Sequence, residues 1–551
     1  MKTKGILAVV VIGSAVAAEA GVWCYRPCEY EAWMLQRMKA EANRGVLHFG
    51  HPGRFLRLSK EPKAFYSEGP VAGYESIPGG PGEPPHRRMR PTKERTPKFA
   101  EGVYDLGHLD IGYVCAEADS RPNLFVGESL PEVRNSDWDG FEQLTLMVPD
   151  GPGRWRSDVP VALRYYRFTT EIRGTRFLSQ VDWREPAAGF SCGDARKERL
   201  WRTGVETLRL CTRTFLIDGI KRDRLPWAGD LAVEIMAAAY SFGDPEPIKR
   251  TLAVLGSGDV REGHVNGIAG YSLWWVVGHD LLQRYFDEPD FLRLHYPRIC
   301  ERMDEIATHE DERGFFAKEL GWDFIDWQGR KGDTLKSEIT LQTVYFGALK
   351  AAVRLAGRAG DAKRAAEWDA KAGKLGARIL AAGMDATRHA RMMAIFFDLV
   401  TGETAVRYAR EIAADDLPPT GTPYMASFEV MALVKGGETA AALRKFESVW
   451  GAMLDFGADA YWEGWNAEDK GNEIYEFYGR PFAKSLCHAW SSGPAFLIPG
   501  VFLGVRPTAD GWRTWEAAPA MPEFAPNATV RIPAKVGTFE VTIRGGKVLA
   551  P

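Results

Sequence analysis

Asp218-Gly219-Ile220-Lys221-Arg222-Asp223-Arg224-Leu225-Pro226-Trp227-Ala228-Gly229-Asp230 packs three carboxylates, three cations and a tryptophan into thirteen residues. Two glycines and a proline punctuate it, a composition that suits neither a helix interior nor a regular strand. Such a density of charge beside an indole reads as a site-like loop. A plainer account competes with it: Asp230 would cap a helix starting at Leu231, Pro226 and Gly229 would make the turn before it, and residues 221–224 would be a solvated run. Against that account stands a second acid between indoles far downstream, in Tyr461-Trp462-Glu463-Gly464-Trp465.

Working outward from the loop, the period of the apolar residues changes after Asp194. Segments near 197–210, 231–242, 247–255, 271–286, 290–308, 337–355, 362–382, 404–414, 426–434 and 438–454 carry apolar residues at three-to-four spacing. About ten to twelve helices without a fixed repeat period predict an all-α domain, closed into a toroid or packed as a bundle. Upstream, short runs such as Gly102–Leu106, Leu124–Gly127 and Tyr165–Thr170 alternate with turn residues and predict a β-rich domain, a sandwich. The Pro-, Gly- and Arg-dense piece 69–97 reads as a long loop within it. Downstream, 528–533 and 538–543 predict a terminal hairpin-like unit. The expected layout is multidomain and mainly α: 1–20 export signal, 21–190 N-terminal β-sandwich, 191–505 helical domain, 506–551 C-terminal β unit.

Length and composition bound the function. A chain of 551 residues can bury two to four domain cores. With 70 basic and 73 acidic side chains its net charge is -3, so no global field favours nucleic acid or an anionic membrane. Lys2 and Lys4 precede an apolar run from Ile6 to Ala18, and Ala18-Glu19-Ala20 has the small-x-small form of a cleavage site. Export to the periplasm or beyond is therefore expected. A lipid anchor is not, because Trp23 is bulky where the residue before Cys24 would have to be small. No later segment is long and apolar enough to span a membrane. The seven cysteines show no repeated paired spacing: Cys24 and Cys28 either pair or stay free, and the rest read as core. No metal framework and no cofactor are expected, and nothing in the sequence indicates calcium. The 18 tryptophans read mostly as core, Trp274 and Trp275 among them, yet carbohydrate sites also lay indoles on the apolar face of a pyranose.

The motifs together carry a resemblance. Asp218-Gly219-x-x-Arg222-Asp223-Arg224-x-x-Trp227-x-Gly229-Asp230 resembles the acidic motif of the family 78 glycoside hydrolases, the inverting α-L-rhamnosidases. Gly451-Ala452-Met453-Leu454 with Tyr461-Trp462-Glu463-Gly464-Trp465 is similar to the segment bearing that family's general base. Ser485-Leu486-Cys487-His488-Ala489-Trp490, then Gly493-Pro494, is similar to its closing His segment, and Phe324-Ile325-Asp326-Trp327 to a pocket-wall element. The resemblance covers roughly residues 190–520 and implies an (α/α)6 toroid. It implies Asp223 as general acid and Glu463 as the base that activates water. Asp218, Arg222, Trp227 and Asp230 then fall in the substrate-binding set, joined by Asp326, Trp327, Trp462 and His488 as pocket lining. Many members of the family carry Glu where Asp223 stands, a departure that draws the carboxyl back by about 1 Å, a displacement able to cost about 10²-fold unless the backbone compensates.

An acid working near neutrality must hold its proton above the ordinary aspartate value of about 3.9. Asp218 and Asp230 would favour that proton and Arg222 and Arg224 would oppose it, so the arginines are expected to pair with other carboxylates or turn outward. The leading expectation is an exported inverting hydrolase removing terminal α-L-rhamnose, or a closely related sugar, from a poly- or oligosaccharide. Two alternatives remain at this point: a polysaccharide lyase using Tyr461, His488 and Arg480, and a non-catalytic carbohydrate-binding protein on a hydrolase fold.

Overall fold

The computed structural model describes residues 91–549, apart from 136–142, 144, 159, 214, 257–259, 317–321 and 330, together with the strands Tyr74–Ile77 and His86–Met89. The expected export signal, Cys24 and Cys28 lie outside the described residues.

The first half of the β-rich region departs from expectation. The piece read as a loop contains an antiparallel hairpin of β1 (Tyr74–Ile77) and β2 (His86–Met89), with Tyr74 opposite Met89, and then the short strand β3 (Lys93–Arg95). Its prolines and glycines sit between and beside the strands, where they break no ladder. After β4 (Lys98–Ala100) comes β5 (Val103–Glu117), a 15-residue strand that organises the region. The remaining elements are β6 (Leu124–Gly127), the short helix α1 (Leu130–Arg134), β7 (Met147–Pro149), β8 (Arg154–Ser157), β9 (Val161–Phe168) and β10 (Gly174–Ser179). All pairings are antiparallel, and β3 to β10 join into one hydrogen-bonded sheet of eight strands. β5 pairs with β4, β8, β9 and β10, with a register shift between Asp105 and Asp110 along β9. Alternation along it sends Leu106 and Val114 into a core of the sheet's own and Leu109 and Ile111 into the core shared with the helices.

After β11 (Gly189–Ser191) the helices are α2 (Ala195–Cys211), α3 (Leu231–Ala239), α4 (Glu246–Leu255), α5 (Ala269–Phe286), α6 (Pro289–Thr308), α7 (Glu338–Ala359), α8 (Ala362–Ala382), α9 (Arg388–Phe396), α10 (Gly402–Ala413), α11 (Pro423–Lys435) and α12 (Thr439–Phe446). α12 runs on through a π-helical turn, Glu447–Gly451, into α13 (Ala452–Phe456). Their burial alternates. Every residue of α3 is buried, and α5 is nearly so, whereas α8 buries only the stripe Trp368, Ala372, Leu375, Gly376 and Ile379. Helices apolar all round belong inside, and striped ones outside. Each leucine- or isoleucine-sized side chain so covered contributes about 1.5–3 kcal/mol. The inner helices α3, α5, α7, α9 and α11 touch in succession. The segment 489–502, which includes α14 (Pro494–Phe496), contacts both α11 and α3 and closes a ring of six. Trp274 and Trp275 are core, as expected, and the Trp275 indole donates to the Leu252 carbonyl at 2.9 Å.

The C-terminal strands Ala528–Ile532 and Phe539–Arg544 pair in register, with Val530 opposite Val541. β11 adds to their edge, Phe190 opposite Val530, so the terminal unit is completed by residues that precede the first large helix. Among the described residues no helix is long and apolar enough to cross a membrane.

Candidate active site

The charged loop joins α2 to α3, and its two ends are tied together. The Asp218 N–H donates to the Leu225 carbonyl at 2.9 Å, and the Leu225 N–H to Asp218 Oδ1 at 3.0 Å. Between them the chain reverses in three residues: the Arg224 N–H reaches the Arg222 carbonyl at 2.7 Å, with Asp223 at the tip. Asp223 and Arg224 both have left-handed backbone, φ 57° and 52°. Such non-glycine residues cost about 1–3 kcal/mol each and persist where surrounding bonds over-determine them. Arg224 supplies those bonds, donating to the Ile220 and Pro160 carbonyls and to Gln143 Oε1. Asn266 braces the other arm, bonding the Pro226 carbonyl and the Ala228 N–H, both at 3.0 Å.

Main-chain pairing brings the distant motifs together. Gly219 bridges to His488 in antiparallel fashion, with the Ala489 N–H on the Asp218 carbonyl at 2.6 Å and the Ile220 N–H on the Cys487 carbonyl at 3.3 Å. Gly219 has to be small, since a Cβ there would lie 3.0 Å from Ser485 Oγ and 3.3 Å from the Cys487 carbonyl oxygen. The 485–488 segment in turn accepts from the Glu463 N–H through the Ser485 carbonyl and donates from His488 to the Tyr461 carbonyl, each at 2.9 Å. Three extended segments, 218–220, 485–489 and 461–463, therefore lie side by side.

Asp223 and Glu463, far apart in sequence, bind the two ends of one guanidinium. Arg222 Nη1 lies 3.0 Å from Asp223 Oδ2, and its Nη2 pairs with Glu463 Oε1. The Asp223 side chain is 28% exposed and that of Glu463 only 1%. Glu463 also accepts from the Tyr478 hydroxyl at 2.9 Å and from the Ser485 N–H at 3.0 Å. Burial pushes its carboxyl up, but the Arg222 charge and the Ser485 N–H outweigh burial and leave it below the usual glutamate range. The expectation that the arginines would pair elsewhere or face outward is thus corrected. Arg222 bridges the two acids themselves, with its guanidinium 4.4 Å from the Tyr478 ring centroid, and Arg224 points inward to the β-rich region.

The other acids behave differently. Burial, then the neighbouring carboxylates Asp223 and Asp230, raises Asp218 well above the usual carboxylate range. Burial raises Asp230 likewise, with Glu463 adding to it, and burial beside Asp230 raises Glu234. The site thus sets three raised carboxyls against one, Glu463, that is lowered. Asp230 does not cap α3: its backbone is already helical and its carboxyl makes no capping bond. Instead the Tyr271 hydroxyl bonds the carboxyl. Its Oδ2 has no hydrogen-bond partner, nor does His488 Nδ1, and the two lie 3.9 Å apart. Burial pulls His488 down to about 3, so its imidazole is neutral, stacked on Trp490 with centroids 4.1 Å apart. The Tyr424 hydroxyl is a third buried polar group without a hydrogen-bond partner, on a ring stacked with Trp490 at 5.7 Å.

Two residues expected to line the pocket are buried and engaged by protein groups. Asp326 is fully buried, and its oxygens accept from His389 Nε2 at 3.0 Å, the Gly421 N–H at 2.7 Å and the Thr422 hydroxyl at 2.6 Å. It is occupied in fixing the 421–422 turn. Trp462 is buried against Phe456, Trp465 and Tyr475, a local core behind Glu463. Trp227 and Trp327 are half-buried. Trp227 meets Tyr271 edge-on at 6.2 Å, and Trp327 meets Tyr478 edge-on at 5.0 Å, with Phe324 and Trp322 extending that row of rings. Tyr271, Tyr424 and Tyr478 escaped the sequence reading, since lone tyrosines on a helix or in a loop carry no motif. Tyr461, a candidate in the lyase reading, is fully buried with its hydroxyl on the Leu200 carbonyl. Among the described residues no group of three or more His, Cys, Asp or Glu is arranged to hold a metal ion.

A ring of six inner helices, with outer helices paired to them and carboxylates gathered on the connecting segments, is the build of a six-hairpin glycosidase. Residues 185–499 match the family model described as the bacterial alpha-L-rhamnosidase six-hairpin glycosidase domain, and the chain belongs to that family. Solved structures agree on the fold. The chain is similar to a family GH78 rhamnosidase of Bacillus sp. GL1 (TM-score 0.67, 22% identity), covering 88% of this chain and 53% of that one. It is also similar to a rhamnosidase from Klebsiella oxytoca with rhamnose bound (TM-score 0.62, 22% identity), covering 78% of this chain and 94% of that one. A third is an α-L-rhamnosidase from Aspergillus terreus (TM-score 0.67, 15% identity), with 82% and 58% covered. The chain thus spans about half the length of the Bacillus protein and nearly all of the Klebsiella one. A comparison with curated proteins finds no match.

Proposed function

We propose that the protein is an exported inverting glycoside hydrolase that removes terminal α-L-rhamnose, or a closely related sugar, from a polysaccharide or oligosaccharide. The observation that carries this reading is the pair Asp223 and Glu463, held one guanidinium apart beside buried polar atoms that lack partners. Inversion needs an acid at the leaving oxygen and a base across the ring, about 6.5–9.5 Å apart, so that a water fits between base and sugar. Glu463, ionised and oriented by three donors, suits the base. It takes a proton from water as the oxygen attacks the anomeric carbon. Asp223, at the more exposed end of Arg222, suits the acid: its proton goes to the glycosidic oxygen as that bond breaks. To do so it leaves its ion pair with Arg222 and takes up that proton from solvent before the bond breaks.

A sugar hydroxyl set between Asp230 Oδ2 and His488 Nδ1 would satisfy both, and Tyr424 offers a further partner. Trp227 and Trp327 supply half-buried indole faces for the apolar side of the ring. The likeness to a structure with rhamnose bound supports the choice of sugar, and the apolar run after Lys2 and Lys4 supports export.

Substitution separates the roles. Asp223→Asn is expected to abolish turnover of glycosides with poor leaving groups while sparing activated aryl glycosides, which need less protonation. Glu463→Gln is expected to disable both, and proton NMR of the first product is expected to show the inverted anomer. Equal, small losses from the two changes, or a retained anomer, would sink the assignment.

A further inference from the structure

The segment 482–486 is gripped at five consecutive residues, and part of the grip comes from outside the helical ring. Lys221 Nζ, on a side chain only 1% exposed, donates to the Phe482 carbonyl at 2.8 Å and the Lys484 carbonyl at 2.9 Å. Arg222 Nε donates to the Ala483 carbonyl at 3.1 Å, and the Ser485 N–H donates to Glu463. The Leu486 N–H donates to Glu128 Oε2 at 2.6 Å. Glu128 and Glu132 flank the start of α1, in the β-rich region, where the Glu128 N–H also bonds Glu132 Oε2 at 2.8 Å. Both carboxylates face Lys221, whose Nζ lies 3.4 Å from Glu128 Oε2 and 3.1 Å from Glu132 Oε2. All three side chains are almost entirely buried. An ammonium so enclosed needs its counter-charges to stay where it is. Lys221 is the residue before Arg222, and Ser485 the residue before Leu486, so each end of the cluster is one residue from a contact on the acid pair.

We infer that Glu128 and Glu132 are positioning residues for the reaction: by holding Lys221 and the 482–486 segment they set where Asp223 and Glu463 stand. This rests on the hydrolase reading for the identity of the acid pair. Displacing a reacting group by about 1 Å can cost about 10²-fold in rate with little effect on ground-state binding. A merely structural cluster would lower the melting temperature and leave the rate per folded molecule unchanged.

The test is Glu128→Gln and Glu132→Gln in the full chain, each with kcat and KM on whichever α-L-rhamnoside the wild type cleaves. Hydrogen exchange of 218–224 and 482–486 is followed in the unliganded protein. Expected are a fall in kcat of about 10- to 100-fold with KM within about twofold, and faster exchange in both segments. Glu132→Asp, which keeps the charge, is expected to recover most of the rate, and if one Gln variant does not fold the other carries the test. A kcat within twofold of wild type, or unchanged exchange in both segments, overturns the inference. Because exchange is read without substrate, a wild type that cleaves neither a rhamnoside nor a glycoside of a related sugar refutes the hydrolase reading and leaves this one to be judged on exchange.

Discussion

Replacing Arg222 by methionine keeps much of the side-chain stem and removes the charge between the two acids. Glu463, 1% exposed, would then retain only the Tyr478 hydroxyl and the Ser485 N–H. Breaking a buried pair by deleting one partner costs about 3–5 kcal/mol. With two donors still in place the lower end applies, and loss of the Arg222 charge is expected to raise the Glu463 carboxyl out of its depressed range. The sign follows from the role: a base works ionised, so activity falls as pH drops through its pKa. In the wild type that fall lies below the ordinary glutamate value of about 4.3, because Arg222 holds Glu463 down. In the variant the acid limb of kcat/KM against pH, measured with an aryl α-L-rhamnoside, should move to higher pH, whatever happens to the plateau. Stability follows the same sign. A depressed glutamate contributes stability that is full above its unfolded value and lost as pH falls through its folded one, so the variant's deficit in melting temperature should shrink on acidification. An acid limb at the wild-type position would refute the reasoning, since it would mean that Arg222 does not govern the charge of Glu463.

Two further outcomes follow from the burial of Asp326 and Trp462. Asp326→Ala would strand the donors His389 Nε2, the Gly421 N–H and the Thr422 hydroxyl, at about 1–3 kcal/mol for each unsatisfied group, so a loss of at least about 3 kcal/mol is expected in denaturant unfolding; a loss under about 1 kcal/mol would contradict a wholly structural carboxylate. Trp462→Ala and Trp327→Ala should part company: the first lowers stability by about 3–5 kcal/mol, whereas the second chiefly raises KM. The reverse pattern, read by melting and steady-state kinetics, would return Trp462 to the substrate.

The helices were legible because their signal is local, whereas their closure into a ring came only from the family resemblance. The stripe of α8 reads from sequence as 362–382, the span observed, since an outer helix shows both a wet and a dry face. α9 was missed for the opposite reason: Arg388 and His389, polar at its start, are buried by partners on other elements, Glu429 and Asp326, that no local window contains. The β1–β2 hairpin was hidden in a stretch whose prolines and glycines dominate its composition although they stand outside the strands.

The sequence by itself determined the class of fold, the order of its parts and the motifs that carry Asp223 and Glu463, because periodicity and motif spacing are properties of neighbouring residues. Only the tertiary structure decided what those residues meet. It set Arg222 between the two acids, left Asp230 Oδ2 without a hydrogen-bond partner near His488 instead of capping a helix, and buried Asp326 and Trp462. Each outcome depends on main-chain pairing among 218–220, 461–463 and 485–489, segments separated by up to about 270 residues, and a side chain's charge and hydrogen bonds follow from which backbone it is folded against.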